Sequence, residues 1–135
     1  MSDCVFCRIV EGTIPSHRIY EDEQTLGIMD IGSVNPGHAL VLVKPHHATM
    51  LDLPEDLAAA AFRTANRLAK RIQAVLQPDG LTLLQANFEA GWQTMPHFHI
   101  HLLPRTTGDS PALSWPVRNP SQEELAEMAA RLRMD

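Results

Sequence analysis

The chain has 135 residues, of which 11 are Lys or Arg and 16 are Asp or Glu, for a net charge of −5. With 44 % hydrophobic and 20 % charged residues, it is long enough to bury one core, has little room for a second domain, and has none of the composition of a disordered chain. No block of Lys and Arg stands out, which argues against duplex nucleic acid as a partner; a small phosphorylated ligand needs only a few donors and suits this charge. The longest purely apolar run, Leu57 to Phe62, is far short of a membrane span, and no apolar signal segment follows Met1, so no membrane partner is expected. Cys4 and Cys7 form a C-x-x-C spaced for a metal or redox pair rather than a disulfide scaffold. The expected location is the reducing cytoplasm.

In chain order, Phe6 to Val10 predicts one short helical turn, ended by Gly12 and Pro15. Arg18 to Glu21 and Gln24 to Asp30 read as two strands across an acidic turn. Asn35-Pro36-Gly37 is a turn signal, and His38 to Val43 reads as a buried strand. Asp52 is the expected cap of a long helix, with Pro54 in its first turn and Glu55 closing a capping box. Leu57, Ala61, Thr64, Leu68, Ile72 and Val75 mark its apolar face up to Pro78, while Arg63, Arg67, Lys70 and Arg71 mark a solvated one.

Leu81 to Asn87 predicts a strand, Phe88 to Met95 a loop, and His97 to Leu103 a strand stopped by Pro104. Thr106 to Pro120 reads as irregular, and Ser121 to Glu124 is a second capping box opening a helix to about Arg133. The sum is a single α+β domain over residues 1–135, with its core at about 4–104 and a C-terminal extension and helix at 105–135. It has roughly five strands, one long helix and one C-terminal helix.

Seven histidines are present, and three of them alternate in Pro96-His97-Phe98-His99-Ile100-His101-Leu102-Leu103. On a strand His97, His99 and His101 share one face, and Phe98, Ile100 and Leu102 the other. A core strand has no use for three imidazoles in register. Two chemistries suit the row. One is a metal site. The other is covalent catalysis, in which one neutral imidazole attacks and its neighbours handle protons and phosphate charge.

The segment HFHIHLL resembles the His-x-His-x-His-x-x signature of the histidine-triad (HIT) family. CVFCRIVEGTIPSHRIYEDE, MDIGSVNPGHALVLVKPHH and QANFEAGWQTMPHFHIHLLPR resemble the family's N-terminal segment, ribose-contacting strand pair and catalytic strand. The resemblance runs from Cys4 to about Pro104. It implies an antiparallel sheet of about five strands, a homodimer with a continuous sheet, a small purine nucleotide as ligand, and release of a nucleoside monophosphate through a nucleotidyl-histidine.

By the same resemblance His99 is the nucleophile, and His101 and His38 contact the reacting phosphate, where developing charge needs fixed donors. Gln93, Thr94 and Asn87 match polar contacts to the phosphate and leaving group. Asp30 matches the acceptor of both ribose hydroxyls. Phe6, Ile9, Ile28 and Ile31 match an apolar slot for the base. Phe88 stands where many members have Gly, Trp92 enlarges the loop before Gln93, and Val43 replaces a common Pro; the first two border the leaving-group side.

Bacterial-type members add two histidines to the cysteine pair. This implies a structural zinc site of Cys4, Cys7, His46 and His97, with no organic cofactor. His47 is then expected to point elsewhere, and His17 to be a solvated turn residue. Dinucleoside polyphosphates and nucleoside phosphoramidates are the implied substrates of a hydrolase. A nucleotide-binding regulatory module with little catalysis is the alternative. A catalytic metal on all three strand histidines is a third reading, opposed by the long helix, which a jelly roll lacks.

Overall fold

The computed structural model describes residues 3–109 and 118–134. It is an α+β domain: α1 (Val5–Glu11), β1 (Arg18–Glu21), β2 (Thr25–Met29), β3 (Ala39–Val43), α2 (Glu55–Leu76), β4 (Gly80–Leu84), β5 (His99–Arg105) and α3 (Gln122–Leu132). The strands form one antiparallel sheet of five in the order β1-β2-β3-β5-β4. The most central strand, β3, is buried along its whole length. The reason is that both faces are covered. Ala39, Val41 and Val43 pack with Ala61, Ala65, Leu68 and Ile72 of α2, while Leu40 and Leu42 pack with Phe6 and Ile9 of α1. Such a strand reads as an unbroken apolar run.

The histidine strand obeys the predicted alternation. Phe98, Ile100 and Leu102 enter the α2-side core. His99 and His101 lie opposite Leu42 and Leu40 of β3, on the α1 side. On the far face Thr25 bonds Thr64 of α2 through their hydroxyls at 2.7 Å, so a polar pair is buried without loss. Gly27 has no side chain because a Cβ there would lie 2.7 Å from Leu68 Cδ1, and the helix could not approach so closely.

Several elements differ from the sequence reading. α1 has two turns rather than one. Its first is set by Cys4, whose sulfur accepts from Cys7 N at 3.4 Å, and Gly12 at φ 89° ends it. α2 begins with Pro54 as its extended cap, without a side-chain capping bond. Asp52 instead accepts from Thr49 N at 3.0 Å and holds the preceding turn. Val75 is exposed rather than on the core face.

β4 ends at Leu84, not Asn87, where Gln85 and Asn87 turn to bond each other. β5 starts at His99 and runs through Pro104 to Arg105. Beyond Leu102 it has lost β3 as a neighbour, and a proline is tolerated in a strand with an open side. Asn35 Nδ2 donates to the Pro104 carbonyl at 2.9 Å. The capping box of α3, Ser121 with Glu124, forms as predicted. Much of the irregular segment expected between Thr106 and Pro120 lies outside the described residues.

Candidate active site

The α1 face of the sheet carries a cavity of about 300 Å³ whose lining includes Phe6, Ile9, Ile28, Ile31, Asp30, Thr94, His99 and His101. Four elements build it. α1 brings Phe6 and Ile9 over the sheet, β2 brings Ile28, the turn after β2 brings Asp30 and Ile31, and β5 brings the histidines. Phe6 stands edge-on to His99 with ring centroids 5.0 Å apart. Two larger or equal cavities lie on the α2 face and hold no histidine.

Hydrogen bonds fix the ring tautomers. His99 Nδ1 lies 2.7 Å from the His97 carbonyl. A carbonyl only accepts, so Nδ1 carries the proton and Nε2 the lone pair. Val34 N donates to His38 Nδ1 at 3.1 Å. The proton of a neutral His38 is therefore on Nε2, which meets His101 Nδ1 at 2.9 Å and Asp30 Oδ2 at 3.3 Å. His101 Nδ1 accepts, which leaves the His101 proton on Nε2. This trio of Asp30, His38 and His101 lies close enough to resemble a metal site. The proton on His38 Nε2 points into it, however, and a ligand nitrogen needs its lone pair there. The arrangement is a hydrogen-bond chain.

Burial lowers the pKa of His99, against the opposing effect of its bond to the His97 carbonyl. Burial first, and the neighbouring His99 and His38 next, push His101 down to about 4. Asp30 fixes its own loop by accepting from Gly32 N at 2.8 Å.

A second cluster adjoins the first. Cys4, Cys7, His46 and His97 place four ligand atoms within 4.8 Å of one another. Cys4 Sγ is 3.3 Å from His97 Nδ1, Cys7 Sγ is 3.3 Å from His46 Nδ1, and Cys7 Sγ is 3.5 Å from His97 Nδ1. Tetrahedral zinc with ordinary Zn–S and Zn–N bonds sets its S and N ligands about 3.6 Å apart. His97 Nε2 is 2.6 Å from the Val43 carbonyl and so donates to it, turning the Nδ1 lone pair toward both sulfurs. That outer bond is the usual one for a metal-binding imidazole. The donor set, the spacing and the tautomer all fit a metal ion.

The HIT domain family model matches residues 11–108. The chain belongs to the HIT family. Among relatives, "Protein hit" of Bacillus subtilis is 38 % identical over 76 % of this chain and 71 % of its own length. An adenosine 5'-monophosphoramidase of Saccharomyces cerevisiae is 31 % identical over 96 % of this chain and 80 % of its own. An adenylylsulfatase of Arabidopsis thaliana is 34 % identical over 80 % of this chain and 55 % of its own. A HIT family protein from Bacillus anthracis superposes with a TM-score of 0.92 at 34 % identity, over 97 % of this chain and 95 % of that one. A Zn-bound histidine triad family protein from Mycobacterium smegmatis superposes with a TM-score of 0.77 at 37 % identity, over 96 % and 97 %.

Of the eleven residues expected to act on or bind substrate in this HIT protein, eight line the cavity. Three do not line it. His38 stands behind His101 and Asp30. Gln93 donates to the Ala48 carbonyl at 2.6 Å and accepts from Phe88 N at 2.8 Å. Asn87 accepts from Met50 N at 2.8 Å and pairs with Gln85. His47 faces Asp52 at 3.8 Å, away from the cysteines, and His17 is exposed.

The sequence reading missed Ile14, Pro15, Ser16 and Met95, which close the slot. The Ser16 hydroxyl is buried there without a hydrogen-bond partner. Only the bend of the chain after α1 brings this segment over β2, and no periodic signal marks it. Among the described residues no helix is long and apolar enough to cross a membrane.

Proposed function

We propose that this HIT protein is a nucleotide hydrolase that releases a nucleoside monophosphate through a covalent nucleotidyl-histidine on His99. Its substrates are dinucleoside polyphosphates or nucleoside phosphoramidates. The observation that carries this reading is the fixed tautomer of His99: Nδ1 donates to the His97 carbonyl, so the lone pair sits on Nε2 of a side chain lining the slot. The names of the yeast and plant relatives, a phosphoramidase and an adenylylsulfatase, support the same class of chemistry.

In the first step His99 Nε2 attacks the α-phosphorus. A P–N bond forms as the bond to the leaving group breaks, and the leaving group takes the electron pair. A polyphosphate departs as its anion; an amine departs after taking a proton from solvent. His101, fixed by His38, and the donors Thr94, Gln93 and Asn87 meet the phosphoryl charge, the last two after giving up their loop bonds. In the second step water attacks phosphorus, the P–N bond breaks, the water proton goes to solvent, and His99 recovers its lone pair. Asp30 takes the ribose hydroxyls. Phe6, Ile9, Ile28 and Ile31 receive a purine base by apolar contact, which reads one base poorly against another.

Cys4, Cys7, His46 and His97 are proposed to hold zinc, whose role here is to tie α1 to the catalytic strand. The Zn-bound Mycobacterium smegmatis relative supports this. A homodimer is proposed through β4, the edge strand beside the exposed Phe62 and Leu83. The deciding test is AMP release by the wild type and His99→Ala from a diadenosine polyphosphate and an adenosine phosphoramidate. AMP from the wild type alone supports the reading. No AMP from either, with nucleotide binding retained, makes the chain a binding module.

A further inference from the structure

The loop that carries Asp30 runs from the end of β2 to the start of β3 and rests on little. Residues 31–34 are all exposed, Ile31 to 97 % and Val34 to 53 %. A segment with so few buried contacts opens easily unless something pins it. Its backbone bonds close on the loop itself: Asp30 N donates to the His38 carbonyl at 3.0 Å, and His38 N to the Asn35 carbonyl at 3.1 Å. Among the described residues, the only hydrogen bonds from residues 31–37 to the rest of the fold come from the Asn35 side chain.

That side chain reaches the end of the histidine strand. Asn35 Nδ2 donates to the Pro104 carbonyl at 2.9 Å and to Asp109 Oδ2 at 2.9 Å. Asp109 is itself fixed. Arg105, the last residue of β5, grips it with a fork of two bonds, Nε to Oδ2 at 2.8 Å and Nη2 to Oδ1 at 2.7 Å. Thr106 N donates to the same carboxylate at 3.1 Å. The Asp109 side chain is 8 % exposed. The bonds from Arg105 hold its carboxyl well below the usual carboxylate range, so it stays an acceptor.

What this clamp controls is the place of a proton. Val34, next to Asn35, donates its N–H to His38 Nδ1 at 3.1 Å, and Asp30 Oδ2 lies 3.3 Å from His38 Nε2. Both contacts favour the His38 tautomer with its proton on Nε2, and one loop carries both. With that tautomer His101 Nδ1 accepts at 2.9 Å, and the His101 proton stays on Nε2. In the opposite tautomer His38 Nε2 holds a lone pair, so His101 Nδ1 must donate. His101 Nε2 then meets the phosphoryl oxygens with a lone pair of its own, and the donor that the developing charge needs is gone.

We propose that Asn35 and Asp109 are positioning residues: their bond holds the 30–38 loop on β5 and thereby keeps the His101 proton on Nε2. The inference rests on the hydrolase reading above and gives neither residue a contact with substrate. The test uses the full-length protein prepared with zinc and labelled with ¹⁵N in its histidine rings. Asn35→Asp keeps the shape of the side chain but turns its donor into an acceptor facing a carbonyl and a carboxylate. Asn35→Ala only deletes the donor and is the second variant should the first not fold.

Ring nitrogens with and without a proton resonate apart, so long-range ¹⁵N–¹H spectra at about pH 8, where an ordinary imidazole is neutral, read each tautomer. The wild type should show His38 and His101 protonated on Nε2. Either variant should shift both rings toward the Nδ1–H form, while His99, held by the His97 carbonyl on its own strand, keeps its signals. AMP release from an adenosine phosphoramidate should fall about tenfold in kcat with a smaller change in KM. That is less than the outright removal of a transition-state donor costs, because the His101 proton is still presented part of the time. Unchanged His38 and His101 signals in a folded variant would overturn the proposal whatever the activity does, and so would shifted signals with unchanged kcat. Absence of AMP from the wild type would refute the hydrolase reading, whereas the ring signals judge the clamp by themselves.

Discussion

Lowering the pH should weaken this fold through one identifiable side chain, His101. In the unfolded chain its imidazole titrates near 6.5, and in the folded protein it is pushed down to about 4, chiefly by burial and then by His99 and His38. Between those values the unfolded state binds a proton that the folded state refuses, so stability rises with pH across this window. The contribution is fully present above the unfolded value, and is lost as pH falls to the folded one. A shift of that size corresponds to about 3 kcal/mol. His101 is a quarter exposed on its side chain, so solvent screening reduces the expectation to about 2 kcal/mol. The assay is the urea midpoint of the wild type and of His101→Asn from pH 7 to pH 4. The wild-type advantage over the variant should shrink by about that amount, mostly between pH 6.5 and pH 4. Titrating groups remote from His101 are common to both proteins and cancel in the difference. A difference that stays flat across the window would refute the argument, and with it the idea that His101 is held neutral.

The other expectations are direct. His99→Ala should lower AMP release by about a thousandfold or more while nucleotide affinity changes little, because the ring supplies a bond to phosphorus rather than a binding contact; loss of binding alone would contradict its role. Asp30→Asn should narrow the preference for ribose over deoxyribose substrates, and an unchanged ratio of kcat/KM would remove Asp30 from the ribose contact. Cys7→Ser should abolish the bound zinc measured by atomic absorption and lower Tm, whereas chelation of the wild type should act slowly through the fold rather than at once on turnover. Gly37→Ala should destabilise by about 1–3 kcal/mol, since Gly37 has φ 89° and a Cβ there would run into Leu76; calorimetry checks it.

Local rules were sufficient wherever the signal was periodic. Alternation in Phe98, Ile100 and Leu102 put those three in the α2-side core, and the run from Ala39 to Val43 marked a strand covered on both faces. The histidine row and the cysteine pair stood out because reactive and metal-binding side chains at fixed spacing serve few purposes besides chemistry, whereas the acid eight residues before His38 was marked only by the family resemblance. The cap of α2 was not. Asp52 has the right chemistry, but the turn at Thr49 claims it first, and which backbone N–H competes for a carboxylate is decided in three dimensions.

Other features depend on residues far apart in sequence. His97 belongs to the same row as His99, yet the Val43 carbonyl on another strand turns its lone pair toward the cysteines. The Val34 amide sets the proton on His38 and, through it, the proton on His101. Pro104 continues β5 because β3 has already ended beside it. Sequence names the groups that can react or bind. The tertiary structure decides which nitrogen holds the proton, because that depends on a partner brought from elsewhere in the chain and on the water that packing excludes.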